Sequence, residues 1–163
     1  MNKLDSLYAK FEGYAREAFR FLEDHYGFRL VQISHDRYSL VMLYQNATTG
    51  IKIEFEPRES MIWVTLYRLV DGKLPEYKSV LDLDRDTTNR FDLDALIEFK
   101  TPWLVAEREA GRIALRDHDV QPAIMERAAI LRQLGDGILR GNFADFADLG
   151  RLKQERIRRA KGE

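Results

Sequence analysis

At 163 residues, with 45% hydrophobic and 33% charged side chains, the chain has the size of one domain and enough apolar material for a core. Its 26 basic and 27 acidic residues leave a formal net charge of -1, which excludes a body that clings to nucleic acid or anionic membrane through bulk charge. The absence of cysteine excludes disulfides, thiolate nucleophiles and thiolate metal sites, and no apolar run approaches the roughly 20 residues of a membrane span. The opening Met1-Asn2-Lys3-Leu4-Asp5 lacks the apolar stretch of a secretory signal, so a cytoplasmic, soluble protein is expected.

Leu4, Leu7, Tyr8, Phe11, Tyr14, Ala15, Ala18, Phe19 and Leu22 recur at three- and four-residue steps, which predicts an amphipathic helix over about Lys3–His25. Phe21 lies off the stripe, and Gly27 supplies a left-handed stop. Four strand-like segments follow, at about Phe28–Ser34, Tyr38–Gln45, Ile51–Glu56 and Met61–Val70. The breaks between them are too short for parallel crossovers, so an antiparallel meander is the expected topology.

Alternation then sorts the sheet into two faces. If 57–60 is a four-residue hairpin loop, Phe55 meets Ile62, Ile53 meets Val64 and Ile51 meets Leu66 on one face, while Glu54 meets Trp63 on the other. Closing the preceding hairpin around Asn46–Gly50 adds Val41 and Leu43 to the aliphatic face. It adds Leu40, Met42 and Tyr44 to the face of Lys52, Glu54, Glu56, Met61, Trp63, Thr65 and Tyr67. The first helix is expected on the aliphatic side. The mixed side is either covered by the C-terminal half of the chain or receives a partner.

Ser79-Val80-Leu81 reads as a short fifth strand. Residues 71–98 are acidic, with eight acids against four bases, and Asp92 is placed to cap a short helix carrying Leu93, Leu96 and Ile97. A second helical stretch is read over Trp103–Leu115, and a third from near Val120 to about Arg140, with Gly141 as its stop. A short helix near Phe143 then fades into a basic tail, 151–163, with six bases and two acids. The expected fold class is α+β: an N-terminal helix on a four- to five-stranded antiparallel meander sheet, followed by C-terminal helices. The whole of 1–163 is read as one domain, with helix and sheet over 1–83, a helical part over 84–150 and the tail beyond.

Residues able to carry chemistry are dispersed. His25, His35 and His118 each adjoin an acid, but neighbours in sequence point in different directions, and no H-E-x-x-H or other compact ligand spacing occurs. No nucleophile elbow or phosphate-binding glycine loop is present. Asp82, Asp84 and Asp86 alternate as in some calcium loops, without the turn glycine or terminal Glu of an EF-hand. No catalytic residue, metal site or cofactor is therefore assigned.

Two stretches, Phe21-Leu22-Glu23-Asp24-His25-Tyr26-Gly27-Phe28 and Leu131-Arg132-Gln133-Leu134-Gly135-Asp136-Gly137-Ile138-Leu139-Arg140-Gly141-Asn142-Phe143, resemble the helix-to-strand junction and C-terminal signature of small bacterial proteins. Proteins of this appearance are similar to immunity proteins of toxin systems. The resemblance implies binding of a toxin without catalysis and transfers no site residue.

The leading expectation is a non-enzymatic protein-binding module that takes a basic partner on the mixed sheet face through Tyr44, Glu54, Glu56, Trp63 and Tyr67. Aromatic anchors supply contact area there, and carboxylates steer a cationic surface. Two alternatives stand beside it: an enzyme whose histidines and acids converge in space, and a nucleic-acid-associated protein using the basic tail.

Overall fold

A computed structural model describes residues 2–104 and 120–163. The N-terminal stripe forms α1 (Lys3–Ala18). A capping box opens it: the Asn2 side chain accepts from the Asp5 N–H at 2.8 Å, and the Asp5 carboxylate accepts from the Asn2 N–H at 3.4 Å. The expected single helix is broken at Phe19, and α2 (Arg20–Tyr26) continues from it. The break shifts the helical phase, so that Phe21, off the stripe of an unbroken helix, is buried together with Phe19 and Leu22. Gly27, at φ 70°, ends α2 in the left-handed conformation.

Strands β1 (Arg29–His35), β2 (Leu40–Gln45), β3 (Thr49–Glu56) and β4 (Met61–Arg68) form the antiparallel meander, and β5 (Arg90–Asp92) adds to β4 as a fifth strand. The β3–β4 register is the one read from the sequence, with Glu56 opposite Met61 and Ile51 opposite Leu66. The β2–β3 register differs by one residue. Gln45 faces Gly50 rather than Ile51, because Asn46 closes the loop early. Its side-chain oxygen accepts from the backbone N–H groups of Thr48 (3.0 Å) and Thr49 (2.8 Å), and its own N–H donates to the Thr49 carbonyl. One residue of slip exchanges the faces of β2. Leu40, Met42 and Tyr44 lie with Ile53 and Phe55, while Val41 and Leu43 lie with Lys52 and Glu54.

The fifth strand is also corrected. Residues 79–81 do not extend; Ser79 caps α3 (Val80–Arg85) by accepting from the Asp82 N–H, and Val80 and Leu81 are exposed. Asp92 does precede α4 (Leu93–Lys100), but its carboxylate accepts from the Thr65 hydroxyl at 3.3 Å instead of capping the helix. A 3₁₀ turn, Pro102–Leu104, is the described part of the helix expected over Trp103–Leu115; the remainder lies outside the described residues.

The C-terminal helices are α5 (Val120–Leu134), α6 (Asp136–Leu139) and α7 (Ala144–Ala160). The helix expected through Arg140 is thus divided at Gly135. The expected tail is a continuous helix through Ala160, with five of its six bases on it and Lys161 just past its end. At Gly150 the backbone carbonyl of Thr87 occupies the space that a Cβ would fill, which lets α7 press against the segment leading into β5.

One hydrophobic cluster joins the helices to a single side of the sheet. It contains Tyr8, Phe11 and Ala15 of α1, Leu96 and Ile97 of α4, Ile124 and Leu131 of α5, and Phe146 and Leu149 of α7. From the sheet it takes Leu40, Met42, Tyr44, Ile51, Ile53, Phe55, Ile62, Val64, Leu66 and Phe91.

Candidate interaction surface

The second side of the sheet carries none of that cluster. Its central side chains are Val41, Leu43, Lys52, Glu54, Glu56, Met61, Trp63, Thr65 and Tyr67, placed there by the alternation of β2, β3 and β4. Leu43, Thr65 and Tyr67 are buried but stand apart from the main core, and the other six are half-buried. The C-terminal helices α4 to α7 contribute their buried side chains to the opposite face. The expectation that they cover the mixed face is therefore not met among the described residues.

The five residues assigned from the sequence separate into three groups. Tyr44 is a correction: it is 0% exposed, inside the core, on the far side of the sheet from the others. Its hydroxyl has no hydrogen-bond partner among the described residues. Burial pushes its pKa up to about 12, with Glu23 and Glu12 adding and Arg16 opposing. Tyr67 does lie on the mixed face, but at 5% exposure it is a packed residue rather than a free anchor. Its end of the face is folded over by the chain after β4: Leu74 reaches to 3.0 Å of where Gly50 would carry a Cβ, and Arg90 and Tyr77 lie beside the Tyr67 hydroxyl.

Glu54, Glu56 and Trp63 come together at the other end. Glu54 faces Trp63 across β3–β4, and Glu56 faces Met61 one pleat along. Lys52 pairs with Glu54 at 3.6 Å, with the two side chains 25% and 22% exposed. The Glu56 carboxyl is held above its usual range by burial first, then by the charges of Glu54 and Glu59, with Lys52 opposing. Carboxylates thus outnumber the nearby cation beside an indole and a thioether. Sequence reasoning missed Val41 and Leu43 as members of this face. The signal was present in Asn46-Ala47-Thr48-Thr49, whose Asx-turn chemistry favours the shorter loop.

The groups considered for catalysis do not converge. His25 lies at the end of α2 and His35 at the far end of β1, about 20 Å of strand away. The His35 imidazole packs on the Tyr8 ring at 5.5 Å. His118, with Asp117 and Asp119, lies outside the described residues. No group of three potential metal-ligating side chains gathers among the described residues.

Of the alternating acids, Asp82 sits in the first turn of α3, and Asp86 is used internally. Asp86 accepts from the backbone N–H groups of Thr88 (2.7 Å) and Asn89 (2.8 Å) and from the Tyr77 hydroxyl. Three bases of α7 are similarly engaged: Arg151 pairs with Asp148 at 2.7 Å, Arg156 pairs with Glu98, and Lys153 donates to the Asp86 carbonyl at 2.6 Å. Arg158 and Arg159, with Lys161 beyond the helix, are exposed. No described helix is long and apolar enough to cross a membrane.

Comparison with known proteins finds no family model, curated protein or solved structure that matches the chain.

Proposed function

We propose that the protein is a non-enzymatic binding module whose mixed sheet face receives a protein with a basic surface, in the manner of immunity proteins that hold a toxin. The observation that carries this reading is the end of the face formed by Glu54, Glu56, Met61 and Trp63. Burial first, and then the neighbouring carboxylates, raise Glu56, and the acids flank an aromatic side chain on a sheet face outside the hydrophobic cluster. A lysine or arginine from a partner relieves that crowding, and Trp63 with Met61 supplies the apolar contact on which binding energy concentrates.

The test compares the full chain with Trp63→Ala and with Glu54→Lys/Glu56→Lys in native capture, followed by a binding titration with the captured protein. Support is a stoichiometric partner with a basic surface whose affinity falls by about tenfold or more in both variants, with circular dichroism unchanged. A partner held equally by all three proteins overturns the reading, as does an acidic partner or the absence of any stoichiometric one. Expressing the chain alongside a captured toxin then asks whether it protects the host cell, the outcome that separates an immunity role from other binding.

A further inference from the structure

The strand register carries the mixed face outward to β1 in two cross-strand rows. One runs through Ser34, Val41, Glu54 and Trp63, and the next through Gln32, Leu43, Lys52 and Thr65. Glu56 and Met61 stand one pleat nearer the 57–60 turn than Glu54 and Trp63. Two acids thus occupy successive positions of one strand face, about 7 Å apart along β3. An indole and a thioether lie opposite them.

Both halves of this arrangement have capacity to spare. Lys52 pairs with Glu54 at 3.6 Å, while Glu56 makes no hydrogen bond or ion pair among the described residues. The Lys52 charge also acts on Glu56, but against the charges of both Glu54 and Glu59. Arg58, the cation of the adjoining turn, lies over the Tyr38 ring instead. Three carboxylates therefore answer to one ammonium at this end of the face. The Trp63 indole is half-buried and equally unattended. Guanidiniums lie over the rings of Tyr38, Phe143, Phe21 and Tyr26, and none lies over Trp63 among the described residues.

Half-burial decides which cation fits. A side chain entering such a face gives up hydration, and a guanidinium is more weakly hydrated than an ammonium. Its planar fork carries five donors, enough to serve two carboxylates, and its flat face stacks on an indole. An ammonium is a point charge, a role that Lys52 already fills beside Glu54.

We infer that the mixed face selects arginine over lysine: a partner's guanidinium lies against Trp63 and Met61 and bridges Glu54 and Glu56. This rests on the reading of that face as the partner surface, and it makes Glu56 and Trp63 the specificity-determining residues.

The probes are the Nα-acetyl amides of arginine, lysine and citrulline, the last a neutral isostere of arginine. They are titrated at low salt into the full chain carrying Trp103→Phe, an exposed position, which leaves Trp63 as the one tryptophan. Indole fluorescence and the indole N–H resonance report binding. The arginine amide should saturate by about 50 mM, with lysine at least about threefold weaker and citrulline about tenfold weaker. Glu56→Gln should abolish the preference, so that the arginine and lysine amides bind alike. The inference is overturned if arginine and lysine bind equally before that substitution, or if citrulline binds as well as arginine. It is also overturned if the preference survives Glu56→Gln, or if the arginine amide gives no saturable response. Native capture keeps the two conclusions apart. A basic partner held through this face without arginine preference removes the inference and leaves the binding module; arginine preference without any stoichiometric partner keeps the selectivity and removes the partner-binding role.

Discussion

The ring of Phe11 lies flat against that of Phe55, with centroids 4.5 Å apart and planes within 5° of parallel. This contact fixes α1 onto β3, and Tyr8 meets the same Phe55 ring edge-on at 6.3 Å. Both phenylalanines are sealed from solvent. Phe11→Ala should lower unfolding free energy by about 3–5 kcal/mol, read as a fall in the urea midpoint with an unchanged slope. A loss below about 1 kcal/mol would mean that α1 does not depend on this stack.

Tyr44 offers the opposite case. Its buried hydroxyl lacks a partner among the described residues, so Tyr44→Phe removes a desolvated polar group and keeps the ring. Stability should rise by about 1 kcal/mol in chemical denaturation. Partner binding should be unaffected, since the side chain lies on the core side of the sheet.

Gly150 meets the Thr87 carbonyl so closely that even a methyl group requires the backbone to move. Gly150→Ala is therefore expected to destabilise by about 1–3 kcal/mol, despite alanine's better helix propensity. Hydrogen exchange at Phe91 and Asp92 should rise along with the loss, because α7 presses on the segment entering β5. A gain in melting temperature would contradict the close approach.

Asp86 links stability to acid. Burial alone would raise its carboxyl, but the hydrogen bonds from Tyr77, Asn89 and Thr88 outweigh it, with Lys153 assisting, and hold it below the usual range. A depressed folded-state pKa gives stability that is present above the unfolded pKa and lost as pH falls through the folded one. Wild type should thus lose stability below about pH 4, and Asp86→Asn should flatten that part of the profile while lowering stability at pH 7.

Glu56 carries the reverse sign. Its raised pKa makes the protonated form favourable in the fold, so its contribution is intact below the unfolded pKa and disappears as pH climbs through the folded value. Glu56→Gln should melt at a higher temperature than wild type at pH 7 and bind a basic partner more weakly. Equal melting temperatures would mean that neither burial nor the neighbouring carboxylates penalise the Glu56 charge.

Much of the architecture was legible because hydrophobic spacing is a direct record of burial. The α1 stripe, the four meander strands and the β3–β4 register all follow from it. What escaped depended on side chains bonding to backbone. Asn46 shortened one loop and thereby exchanged Tyr44 for Val41 and Leu43 on the mixed face. Ser79 turned an apparent strand into a helix start. Of the candidate surface, Glu54, Glu56 and Trp63 were placed by alternation alone, whereas the sealing of Tyr67 arises from residues 74–90, which no strand periodicity describes.

Asn46 has a larger role than setting a loop. Its amide nitrogen donates to the carbonyls of Tyr26 at 3.1 Å and Leu139 at 3.2 Å, while its oxygen holds Thr48 and Thr49. Thr49 in turn donates to the Ile138 carbonyl at 3.0 Å. The β2–β3 turn is thereby tied at once to the end of α2, through Tyr26, and to α6, through Ile138 and Leu139. One amide side chain thus joins three segments far apart in sequence, so that a change at Asn46 loosens the turn, the end of α2 and α6 together.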